Sequence, residues 1–185
     1  TGCRVFAPGI EAQFTRTPIL EPGFLYGGFP PAALRHKFLL AAPCECEDAA
    51  SPAFPQEVKV MPLPGHFFDM CGYLLPDGTA FIADCVSSPE TLEKYGFPFI
   101  YDVAAYLSTL DALTGAGAKM YVPSHAAACE DIAPLAQYNI DRTNEAAERI
   151  AALCTGVTFD ELLSAVFAAY GLVMSLPQYA LMGST

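Results

Sequence analysis

The chain has 185 residues, of which 53% are apolar and 16% charged, enough for one domain with a buried core, or for one domain and part of a second. Twenty acidic residues against nine basic ones give a net charge of −11, and the basic residues are scattered singly. That field excludes a nucleic-acid-binding role and disfavours an anionic membrane surface. Apolar stretches break at Pro, Gly or a charge before the ~18–20 residues of a membrane span, and no basic-then-apolar leader opens the chain. Seven cysteines, an odd number in a chain with a sizeable core, point to reduced thiols and a cytoplasmic protein.

In chain order, residues 4–7 read as a short strand. Residues 17–31 hold Glu21-Pro22-Gly23 and Gly27-Gly28 and read as a long surface loop. Residues 37–42 are a candidate strand, and 44–55 an acidic connection. The alternating run 57–61 reads as a strand stopped by Pro62. Residues 72–75 and 79–83 flank Pro76-Asp77-Gly78, strong turn chemistry for a β-hairpin. Val103, Tyr106, Leu107, Leu110 and Leu113 are spaced for a helix over 99–113, ended by Gly115 and Gly117. Residues 119–122 return to strand. Beyond His125, 131–153 and 158–170 read as helices, the second opened by a Thr158/Glu161 capping box. The pattern is α/β up to about residue 130, with a helical appendage from 131 to 185.

Three of these strands hand over to a possible metal ligand: Leu63-Pro64-Gly65-His66, Phe81-Ile82-Ala83-Asp84 and Tyr121-Val122-Pro123-Ser124-His125. A lone His after a strand is ordinarily a surface or core residue, and an Asp there ordinarily caps a turn. The ordered set carries the weight, because two imidazoles and a carboxylate on one rim suit zinc or iron. Asp69 is placed either to hydrogen-bond a ligand imidazole or to cap the turn after His66. Phe67, Phe68 and Tyr73 are candidates for a pocket wall or for core, as is the aromatic loop of Tyr95, Phe97, Phe99 and Tyr101. His36, between Arg35 and Lys37, reads as solvated, Cys44-Glu45-Cys46 as a poor metal motif, and Cys85 as a small buried side chain. Ser124 and His125 are neighbours on a strand end, point apart and do not make a nucleophile–base pair.

With those three segments in place, residues 1 to 130 resemble the second half of the metallo-β-lactamase-fold hydrolases. The spacings, 18 residues from His66 to Asp84 and 41 from Asp84 to His125, suit that family. The resemblance implies part of an αββα sandwich with a two-metal site on one edge. His66 would ligate the first ion and His125 the second, while Asp84 bridges both and is the catalytic residue. Two zinc ions are implied, with iron or manganese as other occupants, and a water between them would attack a small ester, thioester, lactone or phosphoester. Residues 131–185 resemble the start of a winged-helix-type extension found in some members. The family's His-x-His-x-Asp-His motif is absent, since the three histidines stand at 36, 66 and 125. The chain is therefore expected to begin just after its main ligands, to bind metal weakly or not at all, and to have little activity alone. The alternatives are a non-catalytic scaffold for partner binding or dimerisation, and a di-iron redox protein. Half a sandwich leaves one sheet face bare, so a homodimer or larger assembly is expected.

Overall fold

The computed structural model describes residues 2–35, 40–173, 175, 176, 179 and 183. The hairpin turn at Pro76-Asp77-Gly78 organises a four-stranded sheet of β3 (Lys59–Pro62), β4 (Cys71–Leu74), β5 (Thr79–Phe81) and β6 (Met120–Val122), in that spatial order. β3/β4 and β4/β5 pair antiparallel and β5/β6 parallel, so β3, β5 and β6 all run in the same direction. Pro62 is tolerated within β3 because that strand is an edge with a single neighbour.

One face of this sheet carries the core. Ala80, Ile82 and Tyr121 pack there with Tyr106, Leu110 and Leu113 of α4 (Val103–Leu113) and with Ala136 of α5 (Ala133–Leu153). α4 ends at Leu113 as expected but starts four residues later than expected, because Asp102 caps it by accepting a hydrogen bond from Ala105 N. α5 buries Ala136, Asn139, Thr143 and Ala146, a stripe at helical spacing. α6 (Phe159–Ala169), opened by the Thr158/Glu161 capping box, packs on α5 through Val166, Ala146 and Phe97. Among the described residues the other sheet face is largely bare. A row runs across it in register, Val60–Tyr73–Phe81–Val122, and of these Tyr73 is covered by Phe54 at 5.9 Å between ring centroids.

Several expectations change. The loop expected over 17–31 contains helix α2 (Leu20–Tyr26). Pro22 falls in its first turn, where the missing N–H has no intrahelical partner to lose, and Gly27 takes the left-handed conformation that ends it. The same residues that punctuate a loop therefore start and stop a short helix. α1 (Gly9–Arg16) precedes it. The first strand shrinks to β1 (Phe6–Ala7), which pairs in parallel with β2 (Glu47–Asp48) inside the expected connection. Residues 40–42 form no strand; the rest of that expected strand, and His36, lie outside the described residues. A further helix, α3 (Pro89–Tyr95), occupies part of the aromatic loop and is started by the Ser88 cap and Pro89.

Candidate metal centre

Strand direction and register decide where the three segments end. Phe81 and Val122 are paired across β5 and β6, and Asp84 and His125 each lie three residues further on. β3 runs the same way and delivers His66 to the same edge. The backbones are laced there: Ser124 N donates to the Ala83 carbonyl at 2.9 Å and Ser88 N to the His125 carbonyl at 2.9 Å. Ala83 sits at φ 47°, a left-handed conformation uncommon for a residue with a side chain, and turns the chain so that Asp84 leaves the strand line.

His66 is placed by its glycine. Gly65 lies at φ 121°, and a Cβ there would stand 2.3 Å from the Tyr106 backbone nitrogen. Its carbonyl accepts from Tyr101 N at 2.9 Å and Asp102 N at 3.0 Å, which locks the Pro64-Gly65-His66 turn against the start of α4. Thr109 Oγ1 donates to the Pro64 carbonyl at 2.7 Å and closes the other side of that turn.

The result is one carboxylate oxygen between two imidazoles. Asp84 Oδ2 lies 3.6 Å from His66 Nε2 and 3.5 Å from His125 Nε2. Both separations exceed the roughly 2.7–3.2 Å of an N–H···O hydrogen bond. They match two donors on one tetrahedral ion, which at bond lengths of about 2.0–2.2 Å stand roughly 3.4 Å apart. Burial holds the His66 imidazole below its ordinary pKa, against the opposing pull of Asp84 and the Phe99 backbone, and so favours the neutral ring that a metal requires. Its Nδ1 is buried with no hydrogen bond of good geometry among the described residues. In kind and spacing the donors therefore fit a divalent cation. In number they fall short, because among the described residues no three His, Cys, Asp or Glu side chains close tightly enough to hold an ion by themselves. Asp84 stands beside each imidazole, so an ion at either pair would have two protein donors where zinc takes three or four.

These three side chains open into a cleft of about 710 Å³ walled by Phe14, Phe67 and Phe99. Phe67 and Phe68 are both held by α1, since Phe14 meets their rings at 5.1 and 5.4 Å. Of the aromatic loop, Phe99 reaches the cleft, its ring edge-on to His66 at 5.9 Å, while Phe97 is buried against Tyr170. The hydrogen bonds of Asp69 go elsewhere: Oδ2 accepts from Ile10 N at 3.0 Å, anchoring the start of α1, and Asp69 N donates to Glu11 Oε1. Cys85 is fully buried, with its thiol pushed up to about 12 by burial, so it serves the core. Ser124 faces a separate cavity beside Tyr73 and Phe81, away from the cleft.

Sequence reasoning missed Glu11 and Glu21, which α1 and α2 bring into the cleft lining. Burial pushes both carboxyls above their ordinary range; at Glu11 the hydrogen bond from Asp69 N opposes this, while the charges of Asp69 and Glu21 add to it. A carboxyl whose folded-state pKa is raised contributes stability below its unfolded pKa and loses it as pH rises through the folded value. Glu21→Gln is therefore expected to stabilise the fold at pH 7, by less than ~1 kcal/mol at a half-buried site. The gain should vanish below about pH 4, where the unfolded carboxyl is also protonated. Thermal melts at the two pH values check this.

No family model and no curated protein sequence matches the chain. Solved structures do. A metallo-beta-lactamase family protein from Thermus thermophilus is 18% identical with a TM-score of 0.62, over 98% of this chain and 66% of that one. A beta-lactamase domain protein from Burkholderia ambifaria is 14% identical with a TM-score of 0.60, over 96% of this chain and 56% of that one. The chain thus spans just under two thirds of the first structure and little over half of the second.

Proposed function

From a chain that carries the metallo-β-lactamase fold, we propose that His66, Asp84 and His125 are part of the two-cation centre of a metal-dependent hydrolase. The observation that supports this most is the single Asp84 oxygen standing between two imidazole nitrogens at metal-donor spacing. His66 would hold one cation and His125 the other, with Asp84 shared by both. Such cations act as Lewis acids and bring the pKa of water towards neutrality. Zinc suits the donor set best, with iron or manganese as other occupants. The chain's own residues do the rest: the Gly65 turn orients His66, the Asp84 carboxylate fixes the spacing of the two half-sites, and Phe14, Phe67 and Phe99 wall the cleft against water. The substrate is a small ester, thioester, lactone or phosphoester.

Zinc titration of this chain, followed by calorimetry, tests the reading. Weak uptake that falls as pH drops through the imidazole range is expected, because protons compete for the same nitrogens. No uptake at millimolar zinc would contradict it. On ester, thioester, lactone and phosphoester substrates little turnover is expected of this chain even with zinc present, because each cation would lack protein donors.

A second reading, a non-catalytic scaffold for dimerisation or another partner, is favoured by the bare sheet face. Val60 and Phe81 are 37% and 46% exposed there, an apolar row that a second copy would cover. Sedimentation at micromolar concentration is expected to show a dimer or larger assembly, and a monomer would contradict this.

A further inference from the structure

Asn139 is a polar side chain at 1% exposure in the middle of α5, and two of its four amide hydrogen bonds are directed at the loop that follows Asp84. Its Oδ1 accepts from Ser87 N at 3.0 Å and from the Tyr106 hydroxyl at 3.3 Å. Its Nδ2 donates to the Ser87 carbonyl and to the Leu135 carbonyl, both at 2.9 Å. The Ser87 residue is thus gripped at both backbone polar groups by one side chain. Ser87 in turn bridges His125, and Ser88 N donates to the His125 carbonyl. A continuous run of hydrogen bonds therefore leads from the buried face of α5 to the backbone of His125, and from there through Ser124 N to the Ala83 carbonyl beside Asp84.

We infer that Asn139 is a positioning residue for the cation site: through its two-handed grip on Ser87 it fixes the 84–88 loop, and so the separation of Asp84 and His125. No other natural side chain offers one acceptor and one donor at that length and without charge, as this grip requires. The inference rests on the proposed cation site, because only there does a fixed separation matter. A buried Asn with a merely structural role would lower stability throughout the fold and leave the site's geometry alone.

The test compares wild type with Asn139→Ala and Asn139→Asp by amide hydrogen exchange and by zinc titration to millimolar concentration. Asn139→Asp, neutral at this buried position beside two carbonyls, retains the acceptor for Ser87 N and one O–H donor in place of two N–H donors, which keeps the test open if the alanine variant does not fold. Expected are selective loss of protection at Ser88 and Ser124, at least tenfold beyond any change at Tyr121, together with about tenfold weaker zinc binding. The aspartate variant should fall between wild type and alanine. A uniform rise in exchange, or unchanged zinc affinity in a folded variant, would overturn the inference. A wild-type chain that takes up no zinc would instead contradict the cation site itself, and the exchange pattern alone would then decide the role of Asn139.

Discussion

Gly65→Ala is expected to destabilise the chain by about 3 kcal/mol or more, among the largest effects of any single methyl addition in this fold. Two penalties combine at this position. The left-handed backbone at φ 121° is one that residues with a side chain rarely adopt, and the new carbon would stand 2.3 and 2.4 Å from the backbone N and Cα of Tyr106. Those atoms belong to the first turn of α4 and cannot swing aside as the end of a flexible side chain could. Relief requires moving the Pro64-Gly65-His66 turn away from α4, which breaks the bonds from Tyr101 and Asp102 to the Gly65 carbonyl. Urea denaturation of the variant measures the loss, and a change below ~1 kcal/mol would show that the turn is not anchored as described. Any folded remainder should also bind zinc more weakly, because the displaced segment carries His66.

Asp84→Asn should act in the opposite manner, with a large effect on the site and a small one on the fold. The carboxylate is 38% exposed and its contacts are the two imidazoles, so stability is expected to change by no more than about 1 kcal/mol. Zinc uptake should fall by at least ~100-fold, beyond the 10–100-fold typical of residues that only support ligands, because the anion common to both half-sites is gone. An amide offers no negative charge to offset two cations and is a poorer donor to each. Calorimetric titration of the variant beside wild type measures the ratio, and equal affinities would remove Asp84 from the site.

The edge that gathers His66, Asp84 and His125 was legible because the controlling signals are local. Pro76-Asp77-Gly78 reverses the chain once, which sets β4 against β5, and each ligand closes a short apolar run that reads as strand. What remained hidden depends on contacts between distant segments. Asp69 stands three residues from His66, yet its carboxylate anchors the start of α1, 59 residues away in sequence. Glu11 and Glu21 reach the cleft only because α1 and α2 dock on Phe67 and Phe68, and α2 was obscured by a proline and glycines that serve equally as loop or helix punctuation. Asn139 sits in a helix rich in polar residues, and nothing in its neighbourhood marks it as the one turned inward. The capping box at Thr158 was legible for the converse reason, since all of its partners lie within one turn.

The central claim is that His66, Asp84 and His125 converge to share cations. Anomalous diffraction at the zinc edge, from crystals of this chain soaked in millimolar zinc, tests it most directly. The account predicts zinc within about 2.2 Å of the Asp84 carboxylate and of Nε2 of His66 or His125. Zinc bound only elsewhere, or the three side chains facing apart around an empty rim, would contradict it.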